Sequence, residues 1–154
     1  MDFNDYREIQ SLLFKYPEYA DTGNIEGVGE LFAHCEVHAP GHDKPLKAIG
    51  AKAFADMYRQ WVRLYPPNNT PRTRHVMSNI DIVPDGAPDR AKARSYVVVF
   101  QGTDKLPLQP VIAGTYLDKF AKIDGVWRFV ERREEMELAG DLSQHLLLNY
   151  PAKP

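Results

Sequence analysis

The stretch AGTYLDKFAKIDGVWRFVERRE, residues 113–134, decides the fold class of this chain. Two runs of β-branched and aromatic residues flank Asp124-Gly125, a dipeptide typical of a two-residue hairpin turn. The first run belongs to a strand predicted over 111–122, and the second begins a strand predicted over 126–135. The stretch therefore predicts an antiparallel hairpin.

Two further strands are predicted upstream of this hairpin, over 76–83 and 91–101. Pro84-Asp85-Gly86 separates them, as expected of a turn, and a loop over 102–110 leads into the hairpin. Consecutive strands joined in this way indicate an antiparallel sheet.

The part of the chain before the strands has the apolar period of amphipathic helices. A first helix, capped by Asp2 or Asn4, is predicted to bend or restart at Pro17 and to end at Gly23. Two shorter helices are predicted over 24–33 and 51–65. Helices followed by consecutive strands predict an α+β domain, in which a curved sheet folds over a helical layer.

The length and the C-terminal composition bound the domain organisation. A chain of 154 residues is of a size that forms one core, so we expect a single domain over 1–154. Its last part, 138–154, is too apolar for a free tail and is predicted to pack on this subunit or on a neighbouring copy. The apolar residues concerned are Leu142, Leu146, Leu147, Leu148 and Tyr150.

The overall composition excludes several classes of partner. Lys and Arg number 19 against 21 Asp and Glu, with both signs interspersed, which predicts no nucleic-acid partner. No apolar run approaches the roughly 20 residues that cross a bilayer, so no membrane partner is expected. Cys35 is the single cysteine, which suits a reducing compartment, and we expect a cytoplasmic protein. No Gly-rich phosphate loop is present, so no nucleotide cofactor is expected.

Three motifs together resemble a known family. They are IQSLLFKYPEYADTGNIEGVGELFA (9–33), RHVMSNIDIVPDG (74–86) and the 113–134 hairpin. The combination resembles the SnoaL-like family of the nuclear transport factor 2-like superfamily, which is related to scytalone dehydratase and hexachlorocyclohexane dehydrochlorinase. The resemblance implies a cone, in which a strongly curved mixed or antiparallel sheet wraps around three N-terminal helices and leaves a deep apolar pocket. Activity does not follow from such a fold alone.

The resemblance also implies site residues. In both lyases an Asp at the end of the first helix and a His at the start of a central strand form a pocket dyad, and the matching residues here are Asp21 and His75. The dehydrochlorinase also uses an Arg that matches Arg132, whereas its pocket Lys is replaced by Tyr16. The second pocket His and the tyrosine of scytalone dehydratase are replaced by Val98 or Val99 and by Ala20.

The residue types of the dyad suit acid-base chemistry. An imidazole with a pKa near neutrality can remove a proton beside a carbonyl, and a carboxylate on its other nitrogen fixes the tautomer. Asp21 lies near the negative end of the helix dipole, which disfavours a carboxylate unless a cation such as protonated His75 compensates. The alternative is that Asp21 and His75 are both solvated residues at the ends of their elements.

Substrate-binding roles are predicted for Tyr16, Arg132, Trp61 and His38. Strict alternation puts Arg132 on one face with Val126, Arg128 and Val130, opposite Trp127 and Phe129, but does not say which face lines the pocket. A buried Arg132 would need an anionic partner or a polar substrate group, whereas an outer-face Arg132 would pair with Glu131 or Glu134. For Tyr16 a core position is favoured over a functional one, although a phenol that reaches the cavity could bond a substrate oxygen.

HCEVHAPGH, residues 34–42, places His34, His38 and His42 at the four-residue spacing of a helical metal site. Pro40-Gly41 would break such a helix, and the family places a strand here, on which the three histidines would not converge. We therefore predict no metal site, although His38 could line the cavity from this strand.

Two classes of function remain open. The first is a cofactor-independent lyase or isomerase of the dehydratase type, which acts on a small apolar cyclic or aromatic substrate with His75 as general base or acid and Asp21 as its orienting partner. The second is a non-catalytic ligand-binding or assembly subunit, like the β-subunit of ring-hydroxylating dioxygenases. A polyketide-type cyclase is a third possibility within the family. A homo-oligomer is expected, a trimer by similarity to the two lyases or a dimer as elsewhere in the superfamily.

Overall fold

Five strands form one mixed sheet in the computed structural model, which describes residues 1–147. The helices are α1 (Phe3–Thr22), α2 (Ile25–Leu31) and α3 (Ala51–Trp61), and the strands are β1 (Glu36–His38), β2 (Thr73–Asp85), β3 (Ala87–Gln101), β4 (Gln109–Ile123) and β5 (Val126–Ala139). The strand order is β1-β5-β4-β3-β2, with β1 parallel to β5 and every other pair antiparallel. The predicted α+β class is confirmed, as are the four strands predicted from the sequence.

Helix α1 positions one side of the site. Asp2 caps it, accepting from the backbone N–H of Asp5, whose carboxylate accepts from the Asp2 N–H in return. The helix continues past Pro17 without a second start and ends, as predicted, at Gly23 with φ 74°. A Cβ at residue 23 would lie 2.2 Å from the carbonyl oxygen of Asn69, so this end of the helix requires glycine.

The register of the sheet shifts at several places, and two of these shifts matter for the site. In β2, Asn79 has φ 51° and the register with β3 shifts between Ser78 and Asp81. In the 113–134 hairpin the register shifts where Lys119 faces Glu131 and Phe120 faces Phe129, which leaves Val130 as the extra residue. Because a bulge bends its strand and resets the alternation of side chains, residues beyond Val130 face opposite to the predicted direction.

The helical layer packs on the concave face of the sheet. The buried core joins apolar residues of α1, α2 and α3 to those of β3, β4 and β5, among them Ile9, Leu13, Val28, Phe54, Val97, Phe120, Trp127 and Phe129. The α1 buried face also includes Tyr16 and Asp21, which mark where the core gives way to a cavity. No helix within residues 1–147 is both long and apolar enough to cross a bilayer.

The start of the C-terminal segment returns across α3. The His145 carbonyl accepts from the Arg63 N–H at 2.9 Å, and the Leu147 N–H donates to the Trp61 carbonyl at 2.8 Å. Leu142 packs against the core, and Leu146 forms a β-bridge with Val62. Leu148 and Tyr150, which belong to the predicted packing segment, lie outside the described residues.

Candidate active site

Asp21 and His75 meet in a nearly buried hydrogen-bonded pair. Nδ1 of His75 lies 2.6 Å from Oδ1 of Asp21, and the two side chains are 5% and 4% exposed. The backbone N–H of His75 donates to Oδ2 of Asp21 at 2.8 Å, and the hydroxyl of Thr73 donates to Oδ1 at 2.8 Å. Because a carboxylate only accepts, Nδ1 carries the ring proton in this arrangement and Nε2 is the nitrogen left for chemistry.

The Asp21 carboxyl is held in its ionised form. Burial raises its pKa, but hydrogen bonds from the His75 side chain, together with the charge and backbone N–H of His75, outweigh burial. The net result is a pKa below the ordinary value of 3.8, to which the Thr73 hydroxyl contributes. An ionised Asp21 can therefore stabilise the imidazolium that forms when His75 takes a proton.

His75 opens onto a cavity of about 270 Å³. The cavity lies between the helices, the 39–42 loop, the concave sheet face and the C-terminal segment. Its walls are aromatic and aliphatic, and include Tyr16, Phe32, Phe54, Tyr58, Trp61, Val99, Ile112, Tyr116 and Met136. Its titratable lining groups, besides the tyrosines, are His42, His75, Glu134 and His145. Pockets for drug-sized ligands span roughly 300–1,000 Å³, so this one fits a small molecule.

Two of the predicted substrate-binding residues, Tyr16 and Trp61, line the cavity. The Tyr16 ring lies edge-on to His75 at 5.9 Å, and burial raises its pKa to about 12. Burial likewise raises the pKa values of Tyr58 and Tyr116 well above the ordinary 10. The three phenols therefore stay neutral and can donate a hydrogen bond to a ligand oxygen.

Arg132 lies beneath the cavity and is not among the residues that line it. Its side chain is fully buried, with Nε 2.8 Å from Oδ1 and Nη2 2.9 Å from Oδ2 of Asp118. The rings of Tyr16 and Tyr116 contact the guanidinium, with centroids 4.4 and 4.1 Å from its carbon. Burial acts to lower the Arg132 pKa, but Asp118 outweighs it, so the pKa is raised and Arg132 stays charged.

The predicted face of Arg132 is therefore wrong. Arg132 shares the interior with Trp127 and Phe129 instead of facing away from them, because the bulge at Val130 adds one residue between Phe129 and Arg132. Its partner is neither Glu131 nor Glu134. It is Asp118, which faces Arg132 directly across β4 and β5.

His38 also lies outside the cavity lining. Its Nε2 is 3.0 Å from a carboxylate oxygen of Glu36, the residue two positions earlier on the same face of β1. The histidine that does reach the cavity from this part of the chain is His42, which stacks against Trp61 with centroids 6.3 Å apart. No cluster of three or more His, Cys, Asp or Glu side chains within residues 1–147 has the geometry to hold a metal.

Two lining residues, Glu134 and His145, were not predicted as site residues. Glu134 was considered only as an outer-face partner of Arg132, which followed from unbroken alternation along β5. His145 reaches the cavity from the C-terminal segment, and Val99 of β3 lines the same cavity. The signal available in the sequence was a lone His inside an apolar segment.

His145 is kept neutral by its surroundings. It is 8% exposed, and its buried Nδ1 has no hydrogen-bond partner among the described residues. Burial lowers its pKa to about 4, and the nearby His75 lowers it further in the same direction. His145 is therefore a second imidazole in the cavity, and it is uncharged at neutral pH.

The neutral His145 makes stability sensitive to acid. The unfolded chain binds a proton at the ordinary pKa of 6.5, whereas the folded protein binds it only near 4. Stability from this difference is complete above about pH 6.5 and is lost as pH falls to about 4, up to about 3 kcal/mol. As the pH falls over this range, the Tm of His145→Leu should therefore decrease less than the Tm of wild type. A Tm difference between wild type and His145→Leu that does not change with pH would contradict the prediction.

Comparisons with known proteins agree with this architecture. The family model described as the SnoaL-like domain matches residues 1–133. The chain belongs to the SnoaL-like family. Among curated proteins no relative matches the sequence.

Solved structures of other proteins share the fold of this SnoaL-like chain. The structure called "Putative Scytalone Dehydratase" from Novosphingobium aromaticivorans is 25% identical, with a TM-score of 0.68 over 89% of this chain and 87% of that one. An NTF2-like protein with a cystatin-like fold from the same organism is 23% identical, with a TM-score of 0.68 over 92% and 86%. The β subunit of a "putative aromatic-ring-hydroxylating dioxygenase", also from this organism, is 19% identical, with a TM-score of 0.63 over 87% and 90%. The predicted SnoaL-like family and the predicted cone fold are confirmed.

Proposed function

We propose that this SnoaL-like protein is a cofactor-independent lyase or isomerase of the dehydratase type. The observation that carries the proposal is the buried Asp21–His75 pair, whose histidine lines a cavity with aromatic and aliphatic walls. A neutral imidazole in such a cavity can remove a proton next to a carbonyl, and Asp21 stabilises the resulting imidazolium. The likeness to the "Putative Scytalone Dehydratase" supports this class of reaction.

The cavity supports a small, largely apolar cyclic or aromatic substrate. Aromatic and aliphatic side chains form most of its wall, and the buried Arg132 is paired with Asp118 and does not line it. Ring stacking and apolar contact therefore supply most of the binding, while neutral phenols and imidazoles orient one or two oxygens. A polyketide-type cyclisation makes the same acid-base demands, so cyclic ketones with a neighbouring hydroxyl are suitable first substrates.

His75→Ala should abolish turnover of such a ketone while leaving the fold intact. General acid-base catalysis contributes about 10²–10⁴-fold, so kcat should fall by at least this factor. His34→Ala is the matched control, because His34 is exposed and does not line the cavity. Turnover is followed by the rise in absorbance of the conjugated enone product, and folding by circular dichroism. Equal rates for His75→Ala and wild type would refute the proposal.

The alternative function is a non-catalytic binding or assembly subunit. The fold likeness to the dioxygenase β subunit favours it, since such a subunit needs the cone and not a dyad. We expect a homo-oligomer, a dimer or a trimer, and a cytoplasmic location, which the free buried Cys35 suits. Sedimentation with cell extract distinguishes the two functions: the alternative requires a stable complex with a larger, different chain, whereas the enzyme requires only copies of itself.

A further inference from the structure

Glu134 carries a carboxyl group to the cavity that the Asp21–His75 mechanism does not use. It lies on β5, two residues after Arg132, and lines the same cavity as His75. Nε and Nη2 of Arg132 donate hydrogen bonds to Asp118. Within residues 1–147, no ion pair links Glu134 to a cation. A carboxyl among aromatic rings without a cationic partner is stabilised by keeping its proton.

The groups around Glu134 agree with a protonated state. Burial raises the pKa of Glu134, Arg132 lowers it, Asp118 raises it, and a protonated His75 lowers it, with a net rise above the ordinary 4.5. The other titratable groups that line the site are His42, His145, whose pKa is lowered by burial, and the phenols of Tyr16, Tyr58 and Tyr116, which stay neutral and supply no compensating charge. Arg132 and Asp118 together are neutral, so ionised Glu134 would add an uncompensated negative charge to the cavity.

We propose that Glu134 acts as a neutral carboxylic acid, which donates its proton to the oxygen that leaves the substrate while His75 accepts the proton from carbon. The inference rests on the proposed function and narrows its substrate class. The site would accept an uncharged cyclic ketone with a hydroxyl group on the β carbon, and it would reject a carboxylate. A neutral donor binds an oxygen acceptor, whereas a second anion next to this carboxyl would be repelled.

The two groups suit a coupled elimination. Nε2 of His75 takes a proton from the carbon beside the carbonyl, the C–H electron pair becomes the C=C bond, and the C–O bond at the β carbon breaks. The departing oxygen takes the Glu134 proton and leaves as water. Protonated His75 favours the ionisation of Glu134, because its positive charge lowers the Glu134 pKa. A proton that passes through solvent from His75 to Glu134 then restores both groups.

The protonation state can be measured without turnover. The infrared difference spectrum between wild type and Glu134→Gln at neutral pH should contain the C=O stretch of a protonated carboxyl. Glu137→Gln, an exposed glutamate on the same strand, should remove only carboxylate bands. A carboxylate band in place of the protonated band at Glu134 would overturn the proposal, whatever the effect of His75→Ala on rate.

Binding of inert probes tests the donor. We expect 4-chromanone, which has a ring oxygen on the carbon β to its carbonyl, to bind wild type about tenfold more tightly than 1-tetralone, the same ketone with a CH₂ group in place of that oxygen. Glu134→Ala should remove this preference, Glu134→Gln should keep part of it through its amide N–H, and Glu137→Gln should keep all of it. An unchanged preference in Glu134→Ala, or 2-naphthoate binding as tightly as 1-tetralone, would overturn the proposal. Circular dichroism checks that each variant is folded.

Discussion

Asp21→Asn is expected to lower kcat by about 10³–10⁴-fold while it leaves the protein folded. The size of the effect is set by analogy with a serine-protease triad, in which the same change of the orienting Asp leaves the geometry intact and fixes the wrong tautomer. Here the hydrogen bonds to Asp21 determine how an asparagine would be oriented. The measurement is kcat on a cyclic β-hydroxy ketone, with thermal unfolding to check the fold.

The backbone N–H of His75 decides that orientation, because it can only donate. It bonds to Oδ2 of Asp21, so the asparagine oxygen should take that place and the NH₂ group should take the place of Oδ1. The Thr73 hydroxyl can reverse and accept from this NH₂ group, but Nδ1 of His75 can accept only after it loses its proton. The proton then moves to Nε2, and the nitrogen facing the cavity becomes a donor and stops acting as a base.

Thr73→Val is the matched control for Asp21→Asn. It removes one hydrogen bond to Oδ1 but leaves both bonds between Asp21 and His75 in place. Its effect on kcat should therefore be much smaller, and ¹⁵N NMR of the imidazole should show the Nδ1–H tautomer in Thr73→Val and the Nε2–H tautomer in Asp21→Asn. Wild-type kcat in Asp21→Asn together with the Nε2–H tautomer would show that His75 is not the base.

How far the sequence predicts this molecule depends on the range of the interactions involved. The helix ending YADTG and the strand start RHV are local patterns, and the family resemblance links them, so the Asp21–His75 pair could be anticipated although no local rule predicts their contact. The helix boundary at Gly23 could be predicted because its positive φ favours glycine.

The errors have physical causes that a single sequence does not reveal. One extra residue at Val130 reverses the faces of Arg132 and Glu134, and no residue type in that strand identifies a bulge. The position of His145 depends on how the C-terminal segment returns over α3, which is a tertiary contact between distant parts of the chain. His38 was expected to line the cavity, but Val37 is the buried, inward residue of β1, so His38 and Glu36 both face the other side of the strand.

Arg132→Met should be among the most destabilising single substitutions in this protein. It would leave the Asp118 carboxylate fully buried without its partner, and breaking a buried ion pair from one side costs about 3–5 kcal/mol. Chemical denaturation measures the loss as a lower midpoint. A neighbouring pair on the same two strands is the control: Lys119 and Glu131 are exposed by 51% and 26%, so Lys119→Met should cost about 0–1 kcal/mol.

The double variant Asp118→Leu/Arg132→Met separates the cost of an unpaired charge from the contribution of the pair itself. A buried pair loses much of its Coulomb energy to desolvation, so replacing both partners with apolar residues of similar volume should recover most of the stability lost in Arg132→Met. The rings of Tyr16 and Tyr116 would then pack on methionine instead of on the guanidinium. A loss of stability in the double variant that equals the sum of the losses in Asp118→Leu and Arg132→Met would contradict this account.

The same double variant tests whether Arg132 contacts substrate, the role that the family resemblance suggested. Arg132 lies beneath the cavity and uses Nε and Nη2 on Asp118, so its removal together with Asp118 should leave the 1-tetralone affinity within about twofold of wild type. A direct substrate contact would instead appear as a loss of affinity in a folded variant of near-normal stability. Stability and affinity are measured on the same variant. A large loss of affinity in a stable double variant would show that Arg132 contacts the ligand, whereas an unchanged affinity would show that Arg132 only stabilises the fold.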